Sequence, residues 1–287
     1  MQAGDWRWLI GIGLNIVVVV LEAGAGIYSG SIALLADAGH NLSDVLALGM
    51  AGVAAWLARQ PASPRRTYGF GKATVLAALG NAVLLVFACG VIATEAVGRL
   101  SHPATPGTGV MMAVAAAGVV INGLTAALFT RGRHDDVNVR SAFLHMAGDA
   151  AISAGVVVAG GLILLTGKAW IDPVASLLIL VAILAGTWSV LREALDLALD
   201  SAPQAVDVEA VRSFLEACPE VTQVHDLHIW PLSTTETALT AHLVRPSGAD
   251  DRFLRQVCEA LHDRFDIGHS TLQVEAESLI ACEELHA

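Results

Sequence analysis

Asp37, His40 and Asp44 recur at helical spacing inside an otherwise apolar run from about 32 to 57. Positions three and four apart share one face of a helix, so these side chains form a single stripe. A second apolar run, about 141 to 166, carries His145 and Asp149, repeating the spacing of His40 and Asp44. Each pair offers one imidazole and one carboxylate a helical turn apart, and two facing helices would supply four ligands. Two nitrogen and two oxygen donors in a tetrahedron suit a borderline cation such as Zn(II). An ionisable group at a bilayer centre costs about 2.5 to 3.5 kcal/mol on insertion scales, so groups retained there mark a pathway or a site. The bland alternative is that the pairs only hydrogen-bond each other.

The elements that must carry these residues are membrane helices. A chain of 287 residues with 55% hydrophobic composition and mean hydropathy +0.62 is too apolar for a soluble domain of its size. Six runs, at about 6–28, 32–57, 73–98, 108–130, 141–166 and 172–193, are long enough to cross a hydrocarbon core of about 30 Å. The first has little basic lead-in and no small-residue cleavage site, so it reads as a retained helix. Arg7, Arg59, Arg65, Arg66, Lys72, Arg131, Arg133, Arg140 and Arg192 fall on one side, with Arg99 and Lys168 near the other. The positive-inside rule then puts both termini in the cytoplasm. Proline-broken connections at 59–66 and 101–107 end helices, and 131–136, with His134, forms another inside loop.

Other polar groups sit within the spans: Asn15, Glu22, Asn81, Glu95, Asn122 and Ser153. The amides read as interhelical packing glue. Glu22 and Glu95 read as water-facing groups near outer helix ends, with a proton or ion exit role as the alternative.

The formal charge of −11 is concentrated in the tail: residues 1–200 carry net −1 and residues 201–287 net −10. The tail therefore reads as a separate acidic, water-soluble domain, with nothing that favours nucleic acid. An amphipathic helix at 207–218, strands at 221–230 and 236–245, a helix at 250–265 and a strand at 270–275 give the order αββαβ, a small two-layer α+β domain. Such a domain is small enough to profit from dimerisation. Cys89, Cys218, Cys258 and Cys282 show no metal or disulfide spacing and read as reduced, mostly structural thiols.

Taken together, these residues resemble the cation diffusion facilitator family, proton-coupled exporters of zinc and related metals. The resemblance rests on Ser31-Ile32-Ala33-Leu34-Leu35-Ala36-Asp37-Ala38-Gly39-His40 running to Asp44, on His145 to Asp149, on Thr67-Tyr68-Gly69-Phe70-Gly71-Lys72, and on Val224-His225-Asp226-Leu227-His228-Ile229-Trp230. It implies a six-helix membrane domain (1–200) and a cytoplasmic ferredoxin-like domain (201–287) serving metal sensing and dimerisation. It also implies a homodimer in a bacterial inner membrane, with no prosthetic group. His40, Asp44, His145 and Asp149 would be the transport ligands. His225, His242, His269 and Glu275 match positions that bind further zinc in the cytoplasmic domain, and Lys72 would link to Asp196. Many members carry glutamate where this chain has Thr74, so that glutamate's role does not carry over.

Two carboxylates and two neutral imidazoles cancel the charge of a divalent cation, and the emptied site gains by taking protons. Metal and proton thus compete for the same atoms, and histidine titrates near physiological pH. Proton-coupled antiport by alternating access is the expected mechanism. A passive metal channel and a non-transporting membrane metal sensor are the alternatives, while the absence of HExxH counts against an intramembrane metallohydrolase.

Overall fold

The computed structural model describes residues 6–102, 104–128, 130 and 137–277, with side chains described from 12 onward and, after the 131–136 loop, from 143. The side chains of Arg7 and Arg140, the loop with Arg131, Arg133 and His134, Pro103 and Cys282 lie outside the described residues.

Six helices are long and apolar enough to cross a membrane: α1 (Trp6–Ser29), α2 (Ile32–Ala58), α3 (Lys72–Ser101), α4 (Thr108–Leu128), α5 (Val137–Thr166) and α6 (Ile171–Ala198). α5 and α6 run four or more residues past one apolar limit read from the sequence. α5 starts before the apolar run, and α6 continues through Arg192, Glu193 and Asp196. Charge ends a hydrophobic run without ending a helix; α6 stops only before the turn at Asp200, whose φ is 61°, ahead of Pro203.

The chain divides into two compact units: residues 1–50 with 80–190, and residues 51–79 with 191–287. The first holds the middle of the helical bundle. Its core joins Ala33, Leu34 and Ala36 of α2, Leu85 and Cys89 of α3, Met111 and Ala115 of α4, Val156 and Ala159 of α5, and Ile179, Leu180 and Ile183 of α6. Small residues let backbones approach: a Cβ on residue 160 would fall 2.4 Å from Met112 Cγ. Large apolar side chains such as Val20, Ile27, Phe87, Leu165, Leu178 and Trp188 point outward, as a lipid-facing surface requires. This is an integral membrane protein.

The second unit contains α7 (Val208–Glu216), β1 (Gln223–Pro231), β2 (Thr237–Val244), α8 (Asp251–Phe265) and β3 (His269–Glu275), the αββαβ order expected. Asp207 caps α7 by accepting from the Glu209 and Ala210 amides, and Asp250 caps α8 by accepting from Phe253 N, so each expected helix start is a cap. β1 and β2 pair antiparallel, β2 and β3 parallel, and Val211, Leu215, Phe253, Val257 and Leu261 cover the sheet with Val224, Leu239 and Leu243.

Within this unit the start of α3 is tied to its surroundings. Lys72 Nζ donates to Leu197 O at 3.2 Å and pairs with the Asp200 carboxylate. Asp200, in the turn beyond α6, takes the place expected of Asp196. Thr74, at the position where the resemblance notes glutamate in many members, has its hydroxyl accept from Thr234 N at 3.0 Å. Gly71 lies so close to the β1–β2 turn that a Cβ would fall 2.5 Å from Leu232 O.

Candidate metal centre

α2 and α5 bring His40, Asp44, His145 and Asp149 together. His40 Nε2 lies 3.8 Å from Asp44 Oδ2 and 3.4 Å from Asp149 Oδ1. His145 Nε2 lies 3.4 Å from Asp44 Oδ2 and 3.7 Å from Asp149 Oδ2. His40, Asp44 and Asp149 offer ligand atoms within 4.8 Å of one another, whereas the His145 ring stands 6.4 Å from that of His40, centroid to centroid. The edges of a tetrahedron built on Zn–N and Zn–O bonds are about 3.3 to 3.6 Å, so three of the four are already grouped for one small cation and His145 would close in to complete the set. The site is buried on one side and open on the other: Asp149 is 2% exposed and His145 43%. His40 Nδ1, Asp44 Oδ2 and Asp149 Oδ2 are buried without a hydrogen-bond partner among the described residues. Bare buried acceptors are costly, and a cation is the group that would satisfy two carboxylate oxygens at once.

A layer of polar side chains lies one turn along the same helices. Ser153, four residues after Asp149, donates to Asp37 Oδ2 at 2.8 Å. Asn41 Nδ2 donates to Glu22 Oε2 at 2.8 Å and to Asp37 Oδ1 at 3.4 Å. Glu22, Asp37, Asn41 and Ser153 are all fully buried. The water-facing place expected for Glu22 is therefore corrected: its carboxylate lies against Gly118 of α4, where a Cβ would come within 2.8 Å of Oε1. Glu95 does sit at the surface, paired with Arg99 at 3.0 Å.

The ligand helix α2 is anchored by a carboxylate that sequence reading passed over. Asp172, in the first turn of α6, accepts from Ser31 Oγ at 2.6 Å and from Ile32 N at 2.8 Å. A carboxylate at a helix start satisfies free amides and opposes the positive end of the dipole. The signal available was Ser31 as a cap and an acid beginning a helix, but nothing local in sequence joins residues 140 apart.

The sheet of the second unit builds a second cluster. His225 and His242 face each other across β1 and β2, with ring centroids 5.0 Å apart. Glu275, at the end of β3, reaches both: its Oε2 is 3.2 Å from His225 Nε2 and its Oε1 3.2 Å from His242 Nδ1. The ligand atoms of these three residues lie within 4.8 Å of one another, and two imidazoles with one carboxylate make a set that can hold a transition metal. His269, grouped with them from sequence, is corrected. It begins β3, six residues from Glu275, a separation of about 20 Å along a strand, and its exposed ring packs edge-on against Tyr68 at 5.4 Å. Asp226 comes closer instead: the β1 bulge gives it φ 49°, and Oδ2 approaches His242 Nε2 at 3.5 Å. His228 is exposed and contacts Asp226 at 2.9 Å. Among the described cysteines, Cys89, Cys218 and Cys258 are free, and burial pushes the Cys218 thiol up.

Residues 8–197 match the cation efflux transmembrane domain and residues 203–277 the cation efflux protein cytoplasmic domain. The chain is 34% identical to the metal cation efflux system protein CzcD of Cupriavidus metallidurans, over 97% of this chain and 88% of that one. A solved metal-bound C-terminal domain of the CzcD transporter is 38% identical, covering 24% of this chain and 99% of that one, with a TM-score of 0.22. Identity is 36% to the zinc transporter ZitB of Escherichia coli, over 94% and 87% of the two chains. It is 31% to the cadmium, cobalt and zinc/H(+)-K(+) antiporter of Bacillus subtilis, over 91% and 85%.

Proposed function

The chain belongs to the cation efflux family, a family of metal transporters rather than enzymes, and we propose that it exports zinc from the cytoplasm in exchange for protons. Co(II) and Cd(II) are the further candidate substrates, since an N2O2 site accepts several borderline ions. His40, Asp44, His145 and Asp149 are the transport ligands in this reading. The observation that carries it is the meeting of two imidazoles and two carboxylates at 3.4 to 3.8 Å between two membrane helices. The names of the zinc transporter and of the H(+)-coupled antiporter among the relatives support the substrate and the counter-ion.

A divalent cation entering from the cytoplasm meets a ligand set of opposite charge, so the loaded site is formally neutral, the state a low-dielectric interior tolerates. Its ligands must be deprotonated to bind it. When the helices carrying the two pairs rock so that the site faces outward, protons replace the metal on the same atoms and return inward. Both termini lie in the cytoplasm of a bacterial cell under this reading. Residues 1–200 form the transport domain and 201–287 the cytoplasmic domain, and two chains pair through the latter. His225, His242 and Glu275 hold a regulatory zinc ion that shifts the balance of conformations by binding one of them more tightly.

The test is flux into proteoliposomes carrying an internal pH dye, run metal by metal. Zinc uptake accompanied by proton movement in the opposite direction is expected, and His40→Ala should lose both. Zinc passage with no proton movement would make the protein a passive channel; no passage at all would leave a membrane metal sensor.

A further inference from the structure

We propose that Glu22 and Asp37 form a proton-binding station, separate from the four metal ligands, that takes up and gives back one proton in each transport cycle. The inference rests on the metal-site reading above. Both carboxyl groups are fully buried and meet at one amide, Asn41 Nδ2, which lies 2.8 Å from Glu22 Oε2 and 3.4 Å from Asp37 Oδ1. Two acids so placed in a low-dielectric interior cannot both be charged, and the arrangement is held by a shared proton. Glu22 Oε1 receives no hydrogen bond among the described residues, which fits an oxygen that carries a proton. The surroundings hold the pair in place. Asn41 Nδ2 bridges the two carboxyl groups, Ser153 fixes the far oxygen of Asp37, and Gly118 leaves the space Glu22 occupies.

Position links this pair to the cation. Asp37 precedes His40 by three residues on α2, and its partner Ser153 follows Asp149 by four on α5. The ionisable groups that act on the pair from neighbouring turns are His40 and Asp149, themselves proposed ligands. With metal bound, the ligand set is neutral and the acid pair holds one proton, net −1. When the metal leaves, the negative charge returned to Asp149, one helical turn from the Asp37 partner Ser153, favours a second proton on the pair, and a proton from water on the release side adds to it, bringing it to net zero. The next metal to arrive expels that proton to water. Coulombic coupling between neighbouring buried sites drives both steps.

Full-length Glu22→Gln and Asp37→Asn, assayed with zinc alone as the probe, separate titration from structure. An amide keeps the shape and the acceptor for Asn41 while freezing the protonated form. Zinc binding in detergent should stay near that of the unmodified protein. Zinc-driven proton flux should fall by about tenfold or more, and the dependence of the initial rate on release-side pH should flatten. Unchanged rate and pH profile in both variants would overturn the proposal, as would loss of zinc binding in both, which would make the pair a structural support for the ligands. Asp44→Ala in the same assay tests the underlying reading separately: full zinc binding and flux in that variant would sink the metal site itself.

Discussion

The membrane and cytoplasmic clusters draw on the same side chains, histidine and a carboxylate, but on opposite kinds of scaffold. In the membrane each His–Asp pair comes from one turn of one helix, and only the meeting of α2 with α5 is long-range. In the C-terminal sheet each member of the cluster comes from a different strand: register sets His225 opposite His242, and Glu275, two positions past the His242 partner Gln273, reaches both rings from β3. Helices can shift as rigid rods and carry their ligand pairs intact, which suits a site that must release its ion. A hydrogen-bonded sheet holds its cluster fixed, which suits a site that retains one. The membrane site is also half open at His145, whereas His225 and Glu275 are almost fully covered.

This contrast breaks most visibly by ligand removal. Asp149→Ala should lower zinc-driven flux by at least about 100-fold, beyond the range typical of supporting residues, with the dimer intact on size-exclusion chromatography; equal losses from His242→Ala would erase the distinction between the clusters. Glu275→Gln should weaken zinc binding by the cytoplasmic domain about 10- to 100-fold, measured by titration calorimetry, while flux at saturating zinc stays near normal. Stripping zinc with a chelator should destabilise the sheet domain rather than the bundle, by about 2.7 kcal/mol relative to zinc at 100 times its dissociation constant. Amide exchange followed by mass spectrometry would locate the change.

Smaller effects test the supports. Asp172→Asn should cost about 1 kcal/mol by weakening the cap on α2, read as a lower melting temperature, and flux should fall with it. His262 serves as a reference outside both clusters. Its hydrogen bond to Asp263 at 2.9 Å holds its pKa above the ordinary value. Any stability this contact lends is therefore present at low pH and lost as pH rises through the raised pKa. An NMR titration should place its midpoint above about 6.5, unmoved by zinc, with Asp263→Asn returning it to the ordinary range.

The same contrast explains what could be read from sequence. His40, Asp44, His145 and Asp149 were legible because helical periodicity is local and a charged group inside an apolar run stands out. The αββαβ order was legible from the periodicity of its apolar residues. What escaped depended on contacts between distant segments. Asp172 meets Ser31 although the two lie 141 positions apart in sequence, and Glu22 is enclosed where α4 offers Gly118. The family resemblance groups His269 with Glu275, but a strand carries residues six apart well out of a shared coordination sphere. Asp226 points at His242 because of a bulge that no residue pattern announces, and Asp200 displaces Asp196 as the partner of Lys72 because α6 ends in a left-handed turn.

The central claim is most directly tested by X-ray absorption on zinc bound to full-length Glu275→Gln/His242→Ala protein, in which the cytoplasmic cluster is silenced. The account predicts one zinc with two imidazole nitrogens and two carboxylate oxygens at about 2.0 to 2.2 Å, lost on Asp44→Ala. A shell without histidine, or one unchanged by that substitution, would contradict it.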